Sequence, residues 1–440
     1  MNSSCANLID PQAIPAGGGR FLDERRVPLA LRILFASLYA LQGVTVAYFF
    51  NYNKAYMKAA GVPEPVAATV ETIALSPFLF KFLFGPVSDR YAPFGMGHRL
   101  PYIALGLIAQ TIGLAGLTFI DPGRSLKGFG AMAFVAVLGL ALYDTCCDGM
   151  VVDVTPARDR SKIQSLLMTS RFLATTAFTL LFGFVLRFTG TGPGRGDPVI
   201  WICAAIGFFP LILVFRAGRT AARPASVEPF NWSALKSLKR PRTIVLLAFG
   251  SLYAVVGIGG ETNLASFYRR LGLGEELVGA LGAIRYFGRA AGAIALPIAW
   301  RGLNRGAILM LGIVGLTVST AAQAWVAGPV FGGIAAFCFG AANGWNDALF
   351  GVLAMESSNP AMAASTFSLL MAVTNLSVAG DALFAHGVAA FAGRDSRVYS
   401  IAAACTLALV ALVPTLSKRP ESVKDERSFA AADDDDDGYP

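Results

Sequence analysis

The stretch Leu140–Asp153, with the sequence LALYDTCCDGMVVD, places three acids in an apolar segment. Asp144 and Asp148 are four residues apart, so a helix would put both carboxylates on one face, one turn apart. Acids inside an apolar span are costly, and they usually mark a pathway, a proton relay or a coordination site. The stretch therefore predicts a buried membrane helix whose acids have a function.

The composition of the whole chain agrees with a membrane protein. Of the 440 residues, 55% are hydrophobic and 15% are charged, whereas a soluble domain carries about 25% charged residues. Apolar spans of roughly 20 residues each predict an all-α polytopic membrane protein with 12 transmembrane helices. We place them at residues 28–52, 64–87, 100–120, 129–154, 162–187, 198–216, 243–266, 276–299, 305–325, 329–356, 362–388 and 397–416.

A polar segment after the sixth span divides the chain into two halves. We predict an N-terminal segment (1–27), a six-helix bundle (28–216), a linker (217–242), a second six-helix bundle (243–416) and a C-terminal tail (417–440). The N-terminal segment is polar and lacks the apolar core of a cleavable signal peptide, so none is expected. The tail ends in an acidic run, Asp433–Asp437, which is typical of a disordered, solvated segment.

Basic residues predict the orientation of the spans. Lys and Arg number 21 in the segments on the side of the N terminus and 10 in the opposite loops. The positive-inside rule therefore places both termini and the linker in the cytoplasm. Because these residues flank apolar spans, they also account for the net charge of +8. We expect a lipid bilayer, and no nucleic acid, as the partner.

The cysteines and histidines give no sign of a metal site. The six cysteines lie mostly in apolar spans without a C-x-x-C spacing, and the two histidines, His98 and His386, are far apart in sequence. These patterns indicate neither a disulfide framework nor a zinc site. We expect no metal and no cofactor.

The two halves contain an internal repeat. The segment SLYALQG, which begins at Ser37, matches SLYAVVG, which begins at Ser251, at five of seven positions. A second offset, of 203 residues, aligns Asp144 with Asp347 and Asp153 with Glu356. Two six-helix bundles related by an axis along the membrane normal are one of the repeat architectures of transporters, with the substrate at their interface.

The loop after the second span carries a specific signature. It reads Gly85-Pro-Val-Ser-Asp89-Arg90, with Lys81 upstream and Arg99-Leu-Pro-Tyr downstream. The pattern G-x-x-x-D-R followed by a glycine and a basic residue resembles the cytoplasmic signature of the major facilitator superfamily. The longer loop found here is similar to that of the folate–biopterin transporters, the AmpG-type muropeptide permeases and the PucC-type light-harvesting assembly proteins.

Resemblance to this superfamily implies a conformational switch at the loop rather than chemistry. Gly85, Asp89, Arg90 and Arg99 would form a network with Asp153, at the end of the fourth span, that stabilises the outward-open state. The alternative is that these residues only anchor the loop at the lipid headgroups.

Intramembrane arginines are the expected partners of the buried acids. At 1.5 Å per residue, Asp148 and Asp144 lie ~8 Å and ~13 Å above the inner end of the fourth span, and Arg171 lies ~13 Å into the fifth. We therefore predict an Asp144–Arg171 pair, with Asp148 as the freer proton carrier; a purely structural salt bridge is the alternative. The same depth argument predicts an Asp347–Arg289 pair in the second half.

The substrate cavity is expected between the two halves. Arg285 and Arg289 are four residues apart and could receive an anionic group of the substrate. Alternatively, they pair with Asp347 and Asp381 and never touch the substrate. The other cavity candidates are polar or aromatic residues: Tyr39, Gln42, Asn343 and Asn346.

Two glutamates lie near the predicted outer ends of spans. Glu71 on the second span and Glu261 on the seventh would lie where an entry gate opens. Because a carboxylate costs little at the membrane interface, we favour an interfacial position without a role in transport.

These features favour a secondary active transporter and not an enzyme. The chain has no P-loop motif, so an ion gradient must supply the energy, and the buried acids Asp144, Asp148 and Asp347 suggest proton coupling. We expect a monomeric symporter for a small organic solute in a bacterial inner membrane, and the intramembrane arginines favour an anionic or zwitterionic solute.

Two other functions compete with transport. Asp144-x-x-x-Asp148 resembles the aspartate pairs of Mg²⁺-dependent membrane prenyltransferases, which need a second aspartate-rich helix. The counterpart here is Asn346-Asp347 with Gly351 four residues further on, so the second clamp is incomplete. A non-transporting assembly or pigment-handling factor of the PucC type stays open.

Overall fold

The computed structural model describes residues 27–93, 98–190, 192–194, 197–217, 230–391 and 394–418. Throughout these residues the regular secondary structure is helical, without a β-strand, which confirms the all-α class. The predicted N-terminal segment up to residue 26, the first half of the linker (218–229) and the acidic tail from residue 419 lie outside the described residues.

Within the described ranges, twelve long helical segments follow one another, and each coincides with one predicted span. In chain order, α1 to α12 are Leu29–Ala59, Glu64–Arg90, Leu100–Thr118, Leu126–Val154, Arg160–Thr189, Asp197–Arg216, 241–270, Glu275–Gly302, Arg305–Gln323, Pro329–Ser357, 360–390 and Asp395–Leu416. Most ends agree with the prediction to within a few residues. α1 is the main exception, because it continues past its predicted end to Ala59.

Nine of these segments are long and apolar enough to cross a membrane by length and composition. The other three are α8, α10 and α11, and two of these carry charged or amide side chains within the helix. α8 contains Arg285 and Arg289, and α10 contains Asn343, Asn346 and Asp347. Polar and charged residues are tolerated at membrane depth when they face the interior of the bundle.

Helices α2, α7 and α11 are irregular near their middle. α2 has a 3₁₀ turn at Lys81–Leu83, α7 a π-helical turn at Ala254–Ile258, and α11 a 3₁₀ turn at Val373–Leu376. The Nδ2 atom of Asn375 donates to the carbonyl oxygen of Phe78 over 3.0 Å, which joins α2 to α11. Interrupted helices at membrane depth are typical of transporter binding sites.

Following the internal repeat, we call α1–α6 the first bundle and α7–α12 the second. The two meet closely at the membrane face on which both described chain ends lie. We call this the termini face. A Cβ atom at Gly85 would lie 2.6 Å from Cα of Ser365, and one at Gly149 would lie 2.6 Å from Cβ of Ala364. Because glycine has no side chain, α2 and α4 can approach α11 this closely. The termini face is therefore closed in this structure.

The second half of the linker is ordered against the same region. Trp232–Lys239 forms a short 3₁₀ helix between α6 and α7. Its Ala234 packs with Ala361 and Met362 at the beginning of α11. The linker thus contacts the helix that closes the termini face.

Candidate functional site

Asp144, on α4, is held by two side chains from the same bundle. Its Oδ2 atom lies 3.2 Å from Nζ of Lys81 on α2, and both side chains are almost fully buried. Its Oδ1 atom accepts a hydrogen bond of 3.0 Å from Nε2 of Gln42 on α1. The predicted Asp144–Arg171 pair is therefore wrong: equal depth in the membrane did not place the two side chains on facing sides of their helices.

Asp148, one turn further along α4, has a different environment. The hydroxyl of Tyr39, on α1, donates a hydrogen bond to Asp148 Oδ1, and the residue is only 3% exposed. Among the described residues, no Lys or Arg nitrogen lies within 4 Å of its carboxylate. Asp148 is therefore a buried acid whose close polar partner is a neutral hydroxyl.

In the second bundle, the acids and arginines form one connected chain. Arg289 Nη2 lies 2.8 Å from Asp347 Oδ2, which confirms the predicted pair. Glu261, on α7, joins both arginines, at 2.9 Å from Arg289 and 3.1 Å from Arg285. The hydroxyl of Tyr253 donates to Asp347 over 3.1 Å.

These contacts change two of the sequence-based interpretations. Glu261 is 5% exposed and ion-paired within the charge cluster, so it is part of the buried charge framework, whereas the sequence favoured a residue without a role. Glu71 is also buried, and its carboxylate lies 3.1 Å from the ammonium of Lys54. Arg285 and Arg289 are neutralised by acids of their own bundle, in agreement with the alternative prediction that they pair with acids. The side chain of Asp381, one of the predicted partners, is not among those described.

Arg171, on α5, has no ion-pair partner within 4 Å among the described residues. Its side chain is partly exposed, and its guanidinium lies 5.9 Å from the ring centre of the neighbouring Phe172. It interacts electrostatically with Asp148 of the first bundle and Asp347 of the second. Arg171 is therefore partly accessible and lies within electrostatic range of an acid in each bundle.

Asn343 and Asn346 lie inside the second bundle. Asn343 is fully buried, donates back to the carbonyl oxygen of Phe339 over 2.9 Å, and abuts Gly257 of α7. Asn346 donates to the carbonyl oxygen of Gly312 on α9 over 3.0 Å. Asn346 therefore joins α10 to α9, whereas Asn343 bonds within α10 and packs against α7. Because both amides are fully buried inside the second bundle, the prediction that they line the substrate cavity is wrong. Tyr39 and Gln42 stay candidates, because they contact the acids of α4.

A second polar cluster lies at the termini face and crosses between the bundles. Asp89 Oδ2 accepts a hydrogen bond from the backbone amide of Ser365 over 2.8 Å and another from its hydroxyl. Asp89 Oδ1 accepts one from the amide of Ala364 over 3.2 Å and lies 2.6 Å from Arg99 Nη2. Arg99 also binds Asp153, at 3.0 Å. The predicted association of Asp89, Arg99 and Asp153 is confirmed.

Arg90 is not part of this cluster. Its side chain is exposed and its guanidinium lies 5.3 Å from the ring centre of the adjacent Tyr91. Successive residues at the end of a helix point in different directions, so Asp89 faces α11 while Arg90 faces away. The prediction that Arg90 joins the charge network is wrong.

The ion pairs follow the internal repeat. Lys81–Asp144 joins α2 to α4, and Arg289–Asp347 joins the corresponding helices α8 and α10. At the termini face, Arg99–Asp153 joins α3 to α4, and Arg305–Glu356 joins α9 to α10. The paired charges are thus a framework that both halves share. Lys81 was the residue that sequence reasoning missed, although its position in an apolar span was a usable signal.

Comparison with known proteins identifies the family. The model of the Major Facilitator Superfamily matches residues 30–380, most of the chain. The chain belongs to the major facilitator superfamily. Members of this superfamily are membrane transporters, and the predicted superfamily is confirmed. Among the residues that the structure describes, no group of three or more Asp, Glu, His or Cys side chains is arranged so that it could hold a metal ion.

One curated relative within the superfamily is the anhydromuropeptide permease of Escherichia coli (strain K12). The two sequences are 27% identical over 141 residues, which cover 32% of this chain and 28% of the permease. The permease of Escherichia coli O157:H7 matches with the same values. The match thus spans little more than a quarter of the length of these relatives.

Several solved superfamily structures resemble this one along nearly their whole length. A human organic anion transporter has a TM-score of 0.66 at 15% identity and covers 88% of this chain and 100% of its own. A bacterial homologue of the iron transporter ferroportin, in an outward-facing state with soaked iron, has 0.67 at 16% and covers 89% and 100%. The Escherichia coli fucose:proton symporter has 0.64 at 12% and covers 88% and 98%. Identities this low show a shared fold only.

Proposed function

We propose that this superfamily member is a proton-coupled secondary transporter of a small organic solute with an anionic or zwitterionic group. The observation that carries the proposal is the environment of Asp148. Asp144 is neutralised by Lys81 and Asp347 by Arg289, whereas the close partner of Asp148 among the described residues is the hydroxyl of Tyr39. A buried carboxylate without a neighbouring cation gains more free energy from protonation than an ion-paired carboxylate does, because burial disfavours its charged form. Asp148 is therefore the acid best placed to carry a proton.

Movement of the solute would follow from rocking of the first bundle (28–216) against the second (243–416). The contacts between Asp89 and the start of α11 exist only while the termini face is closed. Gly85, Asp89, Arg99 and Asp153 would then act as a latch that stabilises this state, because Asp89 accepts three hydrogen bonds across the interface.

The excess of basic residues on one side supports a location in a bacterial inner membrane with both termini in the cytoplasm. The similarity to a bacterial permease supports the same membrane. We treat the transporter as a monomer. An alkaline phosphatase fused to the C terminus should be inactive, whereas one fused in the loop between α1 and α2 should be active; the reverse pattern would contradict the orientation.

The solute should first be found with the purified protein. Thermal stability would be measured with organic acids, pterins, sugars and cell-wall fragments, and the permease similarity makes cell-wall fragments the first group to try. A solute that stabilises the protein would then be tested in proteoliposomes containing a pH-sensitive dye. We expect solute addition to move protons across the membrane with the wild-type protein.

Asp148→Asn tests the proton assignment in the same proteoliposomes. The variant should lose proton movement and pH-driven uptake, but it should still exchange labelled solute across the membrane. Asp121→Asn, in the loop before α4 and paired with Arg124 at 3.6 Å, is the matched control and should behave as the wild type. Unchanged pH-driven uptake in Asp148→Asn would disprove the assignment.

A further inference from the structure

In the described part of the chain, two charged side chains near the centre of the protein have no ion-pair partner. The paired charges are Lys81 with Asp144, Arg285 with Glu261, and Arg289 with both Glu261 and Asp347. Arg171 and Asp148 remain without an ion-pair partner within 4 Å in the described part of the chain. The two lie on adjacent helices, α5 and α4, and are near enough to interact electrostatically.

The position of Arg171 suits a ligand between the two bundles. The next residue, Phe172, crosses the interface, since the guanidinium of Arg289 lies 4.7 Å from its ring centre. Arg171 also interacts electrostatically with Asp347 and Tyr253 of the second bundle. A guanidinium that is partly exposed at membrane depth without a counter-ion is costly and usually marks a substrate or ion pathway. Its planar fork of N–H donors matches a carboxylate or a phosphate.

The internal repeat separates these two residues from the framework. At the 203-residue offset, Arg171 corresponds to Thr374 and Asp148 to Gly351. The framework pairs occur in both halves, but the charges of Arg171 and Asp148 occur only in the first. A charge that the symmetric framework does not need is a better candidate for ligand binding than one that it uses.

We propose that Arg171 binds a carboxylate or phosphate group of the transported solute, and that this anion and a proton on Asp148 bind together. The inference rests on the proposed transport function and adds the recognised chemical group and the reason for coupling. An anion on Arg171 removes the positive charge that favours ionised Asp148 and adds a negative charge nearby. Protonation of Asp148 relieves both effects, so each ligand promotes binding of the other.

Of the cations around Asp148, Arg171 is the one whose charge a bound anion can compensate. Tyr39 faces it from α1, Lys81 from α2 and Arg171 from α5, while Asp144 and Cys147 share its helix. Lys81 is bound to Asp144 at 3.2 Å, so its charge is already compensated. Occupation of Arg171 is therefore the event that alters the electrostatic environment of Asp148.

The test uses purified protein in detergent, without a membrane gradient. Thermal stability and affinity are measured with inorganic phosphate, glutarate, D-glucuronate and N-acetylmuramate, and with glucose and N-acetylglucosamine as the neutral counterparts of the last two. We expect at least one of the four anions to stabilise the wild-type protein, and an anionic sugar that does so should stabilise it more than its neutral counterpart. Affinity for that anion should fall as the pH rises, and binding should take up protons from a weakly buffered solution.

Three variants separate the parts of the proposal, and a fourth serves as a control. Arg171→Gln should weaken anion binding at least about tenfold, because a charge-assisted hydrogen bond is lost. Arg171→Lys, which keeps the charge, should retain part of the affinity and guards against a simple folding defect. Asp148→Asn, which mimics the protonated acid, should bind the anion tightly at every pH. Arg90→Gln, at an exposed arginine outside the site, should match the wild type.

The possible results have distinct meanings. If no anion stabilises the wild-type protein, or if Arg171→Gln binds as tightly as the wild type, the anion site is disproved. If binding depends on Arg171 but is equally tight at every pH, the link to Asp148 is disproved. Because no transport is measured, these outcomes are distinguishable from a failure of proton movement in proteoliposomes.

Discussion

Replacing Lys81 by methionine should destabilise the folded protein, because it leaves the carboxylate of Asp144 buried without its cation. The charged atoms are 3.2 Å apart and the two side chains are 9% and 5% exposed. At an effective dielectric constant of about 20, unit charges at this separation attract by about 5 kcal/mol. Removing one member of a buried pair costs about 3–5 kcal/mol. Since Gln42 still donates to Asp144, we expect a loss near the lower end, about 3 kcal/mol.

A double-mutant cycle isolates this interaction. Lys81→Met, Asp144→Asn and the double variant would be compared by the free energy of unfolding in mixed micelles, followed by tryptophan fluorescence. Each single variant leaves one buried charge uncompensated, whereas the double variant leaves none. The double variant should therefore be more stable than either single variant, with a coupling energy of about 3 kcal/mol.

The matched control is the same cycle with Arg171→Gln and Asp144→Asn. The structure has no ion pair between these residues, so their effects should add to within about 0.5 kcal/mol. A Lys81–Asp144 coupling energy below about 1 kcal/mol would refute the reasoning, since it would put the pair in the range of exposed pairs. A larger coupling between Arg171 and Asp144 would show that the depth argument from the sequence was right.

Three further changes test the contacts at the termini face and within the second bundle. Asp89→Asn should weaken the closed state by about 1.5–3 kcal/mol, because the charged acceptor of the α11 amides is lost. Distances between spin labels placed on α5 and α8 at the termini face should lengthen. Arg90→Gln, at an exposed residue, should leave these distances unchanged. Gly149→Val should lengthen the same distances, since its side chain would collide with α11, and an unaltered distribution would contradict this close approach. Asn346→Leu should lower thermal stability by about 1 kcal/mol through loss of the bond to α9; a loss of solute affinity with unchanged stability would instead return it to the cavity.

The internal repeat contained more information about the pairs than membrane depth did. Arg289 on α8 pairs with Asp347 on α10, and the repeat aligns Asp347 with Asp144. The corresponding partner of Asp144 should therefore come from α2, where Lys81 is the intramembrane cation. Depth alone suggested Arg171, because distance along a helix axis says nothing about the direction in which a side chain points.

The sequence by itself determined the class of the protein, the approximate position of its spans and the first-bundle residues Gly85, Asp89, Arg99 and Asp153 of the termini face. Hydropathy and the signature around Asp89 are local along the chain, and the bilayer requires each apolar span to form a helix. Only the tertiary structure decided which charges meet, because contact depends on the rotation of each helix about its axis and on its neighbours. That rotation brings Asp144 into contact with Lys81 and directs Asn346 into its own bundle. It also points Arg90 away from the cluster that Asp89 forms at the termini face. It also leaves Asp148 beside Tyr39, and it leaves Arg171 without an ion-pair partner among the residues that the structure describes.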